Sequence, residues 1–369
     1  NIRVWARVFG CGGLPASGRC SGLTMACAGI DLGNRNCVVA VVQRGGIDIC
    51  TNEVSNRATP HMVSFQGEQR HVGEAAANFA MQNFKNTCTD LLRLVGRRMD
   101  DPIVQKELPR LKYAVAARPD DNGTAATVMY GSPGDEGDGT QTFSIEALLA
   151  MMLANLGRLA AGTDGVAGTS LVVSVPGFFD DMQRRAILNA ARIANVKVLR
   201  LLDDHVAIAL SYGIFRTADL PEADAQKVAI VDIGQSSTTV CIGAFKKTEA
   251  NVLGVAFDES LGGRTIDDML LEYFSREFKE KYKIDPLSKP RPTLRLRAEC
   301  EKLKKVLSAN SEAPMNIECL MDDVDVRAFL KRPDLEEIIR PLADRLTGVC
   351  RQALANAKIT AADLHSVEV

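Results

Sequence analysis

Two short motifs in this chain have the residue types that bind a phosphate group and its metal. Asp31 and Gly33 follow one apolar run, and Asp232 and Gly234 follow a similar run much later. Glycine permits a sharp turn whose exposed amides form a concavity for phosphate, and a neighbouring carboxylate holds Mg²⁺, usually through water. A single Asp-x-Gly is common in ordinary hairpins. The matched pair predicts two phosphate loops that face each other across a cleft, with Asp31 and Asp232 as the metal residues.

A second candidate is the polar face of a helix predicted over residues 295–308. Its polar members recur at helical spacing and share one side; they are Glu301, Lys304, Lys305 and Ser308. Such a face can hold a nucleoside by stacking and hydroxyl contacts. The alternative is an ordinary solvated face on which Glu301 and Lys305 form an ion pair one turn apart. The residues alone leave both interpretations open.

A third candidate lies where the apolar run VKVLRLL ends in Asp203 and Asp204. A carboxylate at the end of a strand can position Mg²⁺ or an attacking water. The alternative is that these residues only cap the helix that follows. His205 is expected to serve in packing or capping rather than as a base.

The elements that must position these residues alternate between strands and helices, so the fold class is α/β. Residues 28–42 and 228–245 each read as strand, glycine turn and strand, which indicates a duplicated unit. Helices are expected over 144–161, with Ser144 as cap, and from Asp181, 265 and 295 onward, with Asp180 or Asp181 capping the second. Pro286, Pro290 and Pro292 are expected to form a rigid linker.

Composition excludes several classes of partner. The chain has 369 residues, enough for two lobes, and a formal net charge of −2, so no electrostatic case exists for binding nucleic acid or an anionic membrane. Its 10 cysteines include no C-x-x-C pair, which argues against a zinc site and favours a reducing, cytoplasmic compartment. The Gly/Asp-rich stretch 118–141 is expected to be a mobile surface loop with a strand at ATVMY.

The first residues differ from the rest. Residues 1–24 carry arginines but no acid, as in a transit peptide or as in sequence upstream of a start at Met25. We therefore expect residues 1–24 to be an extension outside the fold. The predicted lobes cover residues 25–220 and 221–369.

An ordered series of segments resembles a known family. It includes GIDLG, NRATPHMVSF, RLVGRRMDDPIVQKE, VVSVPGFFDDMQRRAIL, VDIG, LGGRTIDD and RLRAECEKLKKVLSAN, in register over residues 28–369. The series resembles the nucleotide-binding domain of the heat-shock protein 70 (Hsp70) superfamily. FFDDMQRRAIL, LLDD and FKEKYKIDPLSK are similar to the Hsp110 branch.

The resemblance implies an actin-like ATPase fold of two lobes, each with a duplicated mixed-sheet core, that binds ATP or ADP with Mg²⁺ in a cleft between them. It also implies a nucleotide-exchange factor and holdase for an Hsp70 chaperone, with unfolded client proteins bound by C-terminal domains beyond the sequence. The end at HSVEV is expected to fall before the last nucleotide-contacting segment. Alternatives are an autonomous Hsp70-type ATPase and, less favoured, a sugar or metabolite kinase.

The resemblance carries over residue by residue. It assigns Asp31, Asp204 and Asp232 to the catalytic site, with Asp204 where the family has a metal-linked glutamate. It assigns nucleotide contacts to Gly33, Asn34, Arg35, Gly234, Gln235, Ser236, Ser237, Gly262, Gly263, Glu301, Lys304, Lys305 and Ser308.

Several positions depart from the family pattern. Two threonines of the first loop are Asn34 and Arg35, the glycine-rich second loop is Gln235–Ser237, and the acid after it is Thr239. The lysine usually close to the γ-phosphate is Leu92. Because loss of a cation there removes electrostatic stabilisation of the developing charge, the resemblance implies binding of ATP with slow hydrolysis.

Overall fold

The structure is a computed structural model that describes residues 27–43, 46–118, 123–131, 139–162 and 170–369. The predicted extension 1–24 and residues 119–122 and 132–138 of the predicted surface loop lie outside the described residues. Strands and helices alternate along the described chain, as the α/β prediction required. None of the helices in these ranges combines the length and apolarity that crossing a bilayer demands.

The strands are numbered along the chain. They are β1 Cys27–Leu32, β2 Asn36–Gln43, β3 Gly46–Ile49, β4 Thr59–Pro60, β5 Val63–Gln66, β6 Gln69–Val72, β7 Thr87–Cys88, β8 Ala114–Ala117, β9 Thr124–Met129, β10 Thr140–Ser144, β11 Ser170–Val175, β12 Val198–Asp203, β13 Gln226–Ile233, β14 Thr238–Lys246, β15 Glu249–Asp258, β16 Glu312–Met321, β17 Val324–Lys331 and β18 Ser366–Glu368.

The α-helices are numbered in the same way. They are α1 Glu74–Ala80, α2 Leu91–Leu94, α3 Pro102–Glu107, α4 Ile145–Ala161, α5 Asp181–Ile193, α6 Asp204–Phe215, α7 Gly263–Tyr282, α8 Pro290–Ala309 and α9 Arg332–Ala357.

The chain divides into two compact units. Unit 1 holds the described residues up to Gln226 together with Ala244–Asn251, and unit 2 holds Lys227–Gly243 and Val252–Val369. That these units are the predicted lobes 25–220 and 221–369 stays a prediction.

The main sheet of unit 1 is six-stranded, in the order β12-β11-β1-β2-β3 with β4 beside β2. Strands β1, β11 and β12 run parallel, with Asp31 opposite Ser174 and Val175 opposite Asp203. Parallel strands bring their carboxyl ends to one edge. This register therefore gathers the predicted Asp31 and Asp203–Asp204 at the same edge of the sheet. Helices α4 and α5 share the hydrophobic core with these strands.

The sheet of unit 2 repeats this arrangement. Its order is β15-β14-β13-β18, and β13 pairs with β18 in parallel, as β1 pairs with β11. Asp31 is the next-to-last residue of β1, and Asp232 is the next-to-last residue of β13. The internal repeat read from the two Asp-x-Gly motifs is thus a repeat of strand order as well.

The helix caps follow from local sequence. Ser144 Oγ accepts a hydrogen bond from the amide of Ala147 at 3.1 Å, which starts α4 where the prediction placed it. Asp180 is the N-cap of α5 and forms a capping box with Gln183. A capping box satisfies two amides that the first helical turn leaves without intrahelical partners.

The predicted proline linker is wrong in part. Pro290 is the first residue of α8 and Pro292 lies in its first turn, so the helix predicted from Arg295 begins five residues earlier. Proline suits this position because its missing amide is one that a helix start leaves unbonded. Only Pro286 lies outside the helix, in a short 3₁₀ turn.

One close contact tests the packing of unit 2. A Cβ on Gly254 of β15 would lie 2.4 Å from the amide nitrogen of Ala357 and 2.9 Å from the carbonyl oxygen of Ala353, both in α9. We expect Gly254→Ala to destabilise the protein by about 2 kcal/mol or more, because both obstructing atoms are backbone. Thermal or urea unfolding measures this.

Gly348→Ala is the matched control. Gly348 lies inside α9 with nothing within 4 Å of a built Cβ, so alanine should stabilise the helix by up to about 1 kcal/mol. Equal unfolding midpoints for the two variants would contradict the close packing of β15 on α9.

Candidate functional site

The carboxyl edge of the unit 1 sheet carries the first candidate group. Ser174 Oγ donates to Asp31 Oδ1 at 3.1 Å and accepts a hydrogen bond from the amide of Leu32 at 3.3 Å. Ser174 is buried, and its hydroxyl therefore fixes the Asp31 carboxyl relative to its own strand. Sequence reasoning missed Ser174, although a serine inside the apolar run LVVSVPG was a usable signal.

Asp204 lies at the same edge. Its Oδ1 accepts hydrogen bonds from the amides of Gly177 at 3.3 Å and His205 at 2.6 Å. Asp203 is the N-cap position of α6 but makes no side-chain cap bond, and it pairs with Arg184 at 2.6 Å instead. The capping alternative is therefore wrong for Asp203, and His205 is buried as expected.

The electrostatics of Asp31 reflect this crowding. Its pKa is raised, first because surrounding protein atoms displace water from the carboxyl, and further because the Asp204 carboxylate repels its charge; the Ser174 hydrogen bond opposes both. Asp31 nevertheless keeps an exposed surface, so solvent limits this shift.

This arrangement fits the preference of Mg²⁺, which takes one or two carboxylates and keeps several waters. Asp31 and Asp204 supply the carboxylates, and Asp31 faces solvent. In the described ranges no three His, Cys, Asp or Glu side chains gather around one point. An ion at this edge would accordingly be held largely through water.

The turn after Asp31 is held from several directions. A Cβ on Gly33 would lie 2.4 Å from the carbonyl oxygen of Asn36, so only glycine fits there. His61 Nδ1 donates to the Gly33 carbonyl at 2.8 Å, and the His61 amide donates to the Arg35 carbonyl at 2.8 Å. Asn34 Nδ2 donates to Asp90 Oδ1 at 2.8 Å. The predicted residues 33–35 therefore form one braced turn, and His61 and Asp90 are supports that sequence reasoning missed.

Leu92 belongs to the core rather than to a surface. All four residues of α2 are buried; Leu92 is 4% exposed and packs within the main hydrophobic cluster of unit 1. The position at which the resemblance places a lysine is here an apolar packing position.

The second loop is built in unit 2. The Gly234 amide donates to the Ser237 carbonyl at 2.9 Å, which closes the turn between β13 and β14. The carbonyls of Gly234 and Gln235 accept hydrogen bonds from the amides of Gly263 and Arg264, both at 2.9 Å. The start of α7 thus packs directly behind this turn.

A second glycine contact fixes the same junction. A Cβ on Gly262 would lie 2.6 Å from the carbonyl oxygen of Gln235 and 2.8 Å from the carbonyl carbon of Ser236. Thr238 Oγ1 donates to the carbonyl of Leu261 at 2.7 Å. The structure therefore brings the predicted residues 234–237 together with Gly262 and Gly263.

The polar stripe on α8 divides into two parts. Lys304 Nζ donates to the Gly263 carbonyl at 2.9 Å and pairs with Asp267 Oδ1 at 2.6 Å, so it joins α8 to the loop junction. Glu301 accepts from Lys305 Nζ at 2.8 Å, and Ser308 Oγ donates to the Lys305 carbonyl at 2.6 Å. The Glu301–Lys305 ion pair expected for a solvated helix face is thus present, whereas the side chain of Lys304 contacts the start of α7 beside the second loop.

Comparison with known proteins identifies the family of this chain. A family model described as Hsp70 protein matches residues 27–369. The chain belongs to the Hsp70 family. This membership confirms the predicted superfamily and its actin-like ATPase fold class.

Individual relatives agree. The Hsp70 chain is 44% identical over 345 residues to heat shock 70 kDa protein 14 of Arabidopsis thaliana, covering 94% of this chain and 41% of that protein. It is 43% identical over 348 residues to heat shock protein hsp88 of Neurospora crassa, covering 94% and 48%. It is 38% identical over 343 residues to heat shock protein 88 of Dictyostelium discoideum, covering 92% and 43%.

These relatives are Hsp70-family proteins of the Hsp110 and Hsp88 type, which confirms the predicted branch. The chain spans less than half the length of each of them.

The buried position of Leu92 generates a prediction. We expect Leu92→Lys to lower the free energy of unfolding by about 3 kcal/mol or more, because an ammonium in this cluster is either charged without solvent or neutral at a cost. Leu92→Met conserves volume and should cost less than about 1.5 kcal/mol. Urea unfolding followed by far-UV circular dichroism compares the two variants.

If Leu92→Lys is as stable as Leu92→Met, the side chain at this position can leave the core. The hydrolysis rate of the lysine variant would then report the effect of a cation alone.

Proposed function

We propose that this Hsp70-family chain is the nucleotide-binding domain of an Hsp110-like chaperone and binds ATP or ADP with Mg²⁺. The observation that carries the proposal is that each unit presents an Asp-x-Gly turn of the same construction. In both, the aspartate is the next-to-last residue of a central strand. The glycine carbonyl accepts a hydrogen bond in both, from the His61 side chain in unit 1 and from the Gly263 amide in unit 2.

Peptide geometry explains why these turns suit phosphate. In a trans peptide the N–H and C=O point in opposite directions. The carbonyls of Gly234 and Gln235 face the start of α7, so the amides of Gln235 and Ser236 point away from it. Outward amides in succession form a concavity for an anion. The first amides of α7 donate to the loop, so the N-terminus of α7 supports the loop and does not itself present these amides to an anion.

The other candidate residues are proposed unit by unit. In unit 1, Asp31 and Asp204 offer carboxylates for hydrated Mg²⁺. In unit 2, Asp232 offers another carboxylate, and Glu301, Lys305 and Ser308 form the proposed adenosine-holding face. When bound, Mg²⁺ would offset charge on the phosphates. Lys304 is left out of this face because its Nζ donates to the Gly263 carbonyl.

We propose that hydrolysis by this domain is weak or very slow. Leu92 is packed in the core and supplies no cation, so one source of stabilisation for the developing phosphate charge is missing. Asn34, at a position where the resemblance places a hydroxyl, instead donates to Asp90. Binding without rapid turnover suits a protein that acts on another chaperone.

The cellular role proposed here is nucleotide exchange on an Hsp70 partner chaperone in the cytoplasm, together with holding unfolded client proteins. Support comes from the Hsp110 and Hsp88 type of the relatives. Open and closed states of an exchange factor expose different surfaces, and nucleotide shifts the population between them. Client binding is proposed for the whole protein, in line with the greater length of its relatives.

Nucleotide binding is tested by thermal unfolding with Mg²⁺ and ATP. A ligand at about 100 times its dissociation constant stabilises the folded state by about 2.7 kcal/mol, so the melting temperature should rise. Asp31→Asn and Asp232→Asn should each reduce this rise in the presence of Mg²⁺. Asp181→Asn, at an exposed carboxylate on α5, is the matched control and should leave the rise unchanged. Absence of any shift at millimolar ATP would overturn the proposal.

Exchange is tested by release of a labelled nucleotide from a purified Hsp70 chaperone. We expect faster release when the whole protein is added with ATP, and little hydrolysis by the protein itself over the same period. Unchanged release together with measurable turnover would instead identify an autonomous ATPase.

A further inference from the structure

The glycine carbonyl of the internal repeat is hydrogen-bonded in both units, but by different donors. In unit 2 the Gly263 amide, at the start of α7, donates to Gly234 at 2.9 Å. In unit 1 the imidazole of His61 donates to Gly33 at 2.8 Å, and the Cys37 thiol is a more distant donor to the same carbonyl at 4.0 Å. A side chain thus takes the place that a helix amide has in the other copy.

The chemistry of His61 suits this task. A carbonyl only accepts, so the proton of the ring must be on Nδ1. The side chain lies almost entirely inside unit 1, at 1% exposure, and its pKa is lowered, chiefly by loss of solvent, so the ring stays neutral at pH 7. The hydrogen bond to Gly33 and the charge of Asp90 act against this lowering.

The bond to Gly33 determines where the next amide points. Because N–H and C=O of a trans peptide are opposed, drawing the Gly33 carbonyl toward His61 turns the Asn34 amide away from it. A carbonyl that accepts a hydrogen bond also makes its own peptide N–H a stronger donor. The His61 amide holds the Arg35 carbonyl at 2.8 Å as well, so the turn is braced at both ends.

We propose that His61 is a positioning residue that orients and polarises the Asn34 amide as a donor to the phosphate of a bound nucleotide. The proposal rests on the nucleotide-binding function above. It does not require His61 to touch the ligand, since the residue acts through the peptide between Gly33 and Asn34.

Two variants separate the hydrogen bond from packing. His61→Asn keeps an amide nitrogen near the place of Nδ1, whereas His61→Phe fills the space with a ring that has no donor. We expect His61→Phe to weaken ATP binding about tenfold, the effect of one hydrogen bond, and His61→Asn to stay within about threefold of the parent protein. Adenosine, which has no phosphate, should bind all three proteins alike.

Titration calorimetry with ATP and with adenosine measures these affinities. Equal loss of ATP affinity in both variants, or a parallel loss of adenosine affinity, would assign His61 to packing and overturn the proposal. Melting temperatures of the ligand-free proteins show that each variant is folded.

A measurement without nucleotide keeps the inference separate from the proposed function. The Asn34 amide proton should resonate further downfield in the parent protein and in His61→Asn than in His61→Phe, because polarisation of the peptide deshields it. An unchanged Asn34 shift in His61→Phe would overturn the positioning role even if ATP binds. Failure of the parent protein to bind ATP would overturn the proposed function instead.

Discussion

The hydrogen bond that holds the glycine carbonyl of each Asp-x-Gly turn is the interaction on which both candidate loops depend. It fixes a peptide plane, and that plane decides which way the next amide points. In unit 2 the donor is the Gly263 amide, and in unit 1 it is the His61 imidazole. Without such a donor, a glycine turn samples many orientations. Phosphate binding would then have to order the turn, and this entropy cost would weaken the affinity.

Strand register supplies the second constraint. Because β1, β11 and β12 are parallel and aligned, Asp31, Ser174 and Asp203 end at one edge of the sheet although they are far apart in sequence. The carboxylate of Asp204 follows directly. A one-residue slip in a strand sends each side chain to the opposite face. The buried Ser174 hydroxyl, bonded to Asp31 and to the Leu32 amide, adds a check on this register.

Two departures from the family pattern share one physical consequence, because the side chains at these positions interact with the protein itself. Leu92 packs in the core, and Asn34 donates to Asp90. Lys304, which matches the family pattern, also interacts with the protein itself, through Gly263 and Asp267. These interactions order the candidate loops and leave fewer side chains available to a ligand.

The amino-acid sequence by itself determined the local features of this protein. The Ser144 cap, the capping box of α5, the two glycine turns and their repeat follow from interactions between residues close along the chain. Family membership also followed, since it rests on ordered segments. Pro290 shows the limit of such rules. Proline is common both after the end of a helix and at the first position of the next one, so the sequence left the start of α8 undetermined.

Only the tertiary structure decided which distant residues support the loops. Ser174 and His61 reach the first turn from other strands and segments, and Lys304 reaches the second from a neighbouring helix. The tertiary structure also decided that Leu92 faces the core. Helix α2 has only four residues, which is too short for a hydrophobic periodicity to predict which side chains are buried. Such contacts depend on sheet register and helix packing, which bring together residues that no spacing along the chain relates.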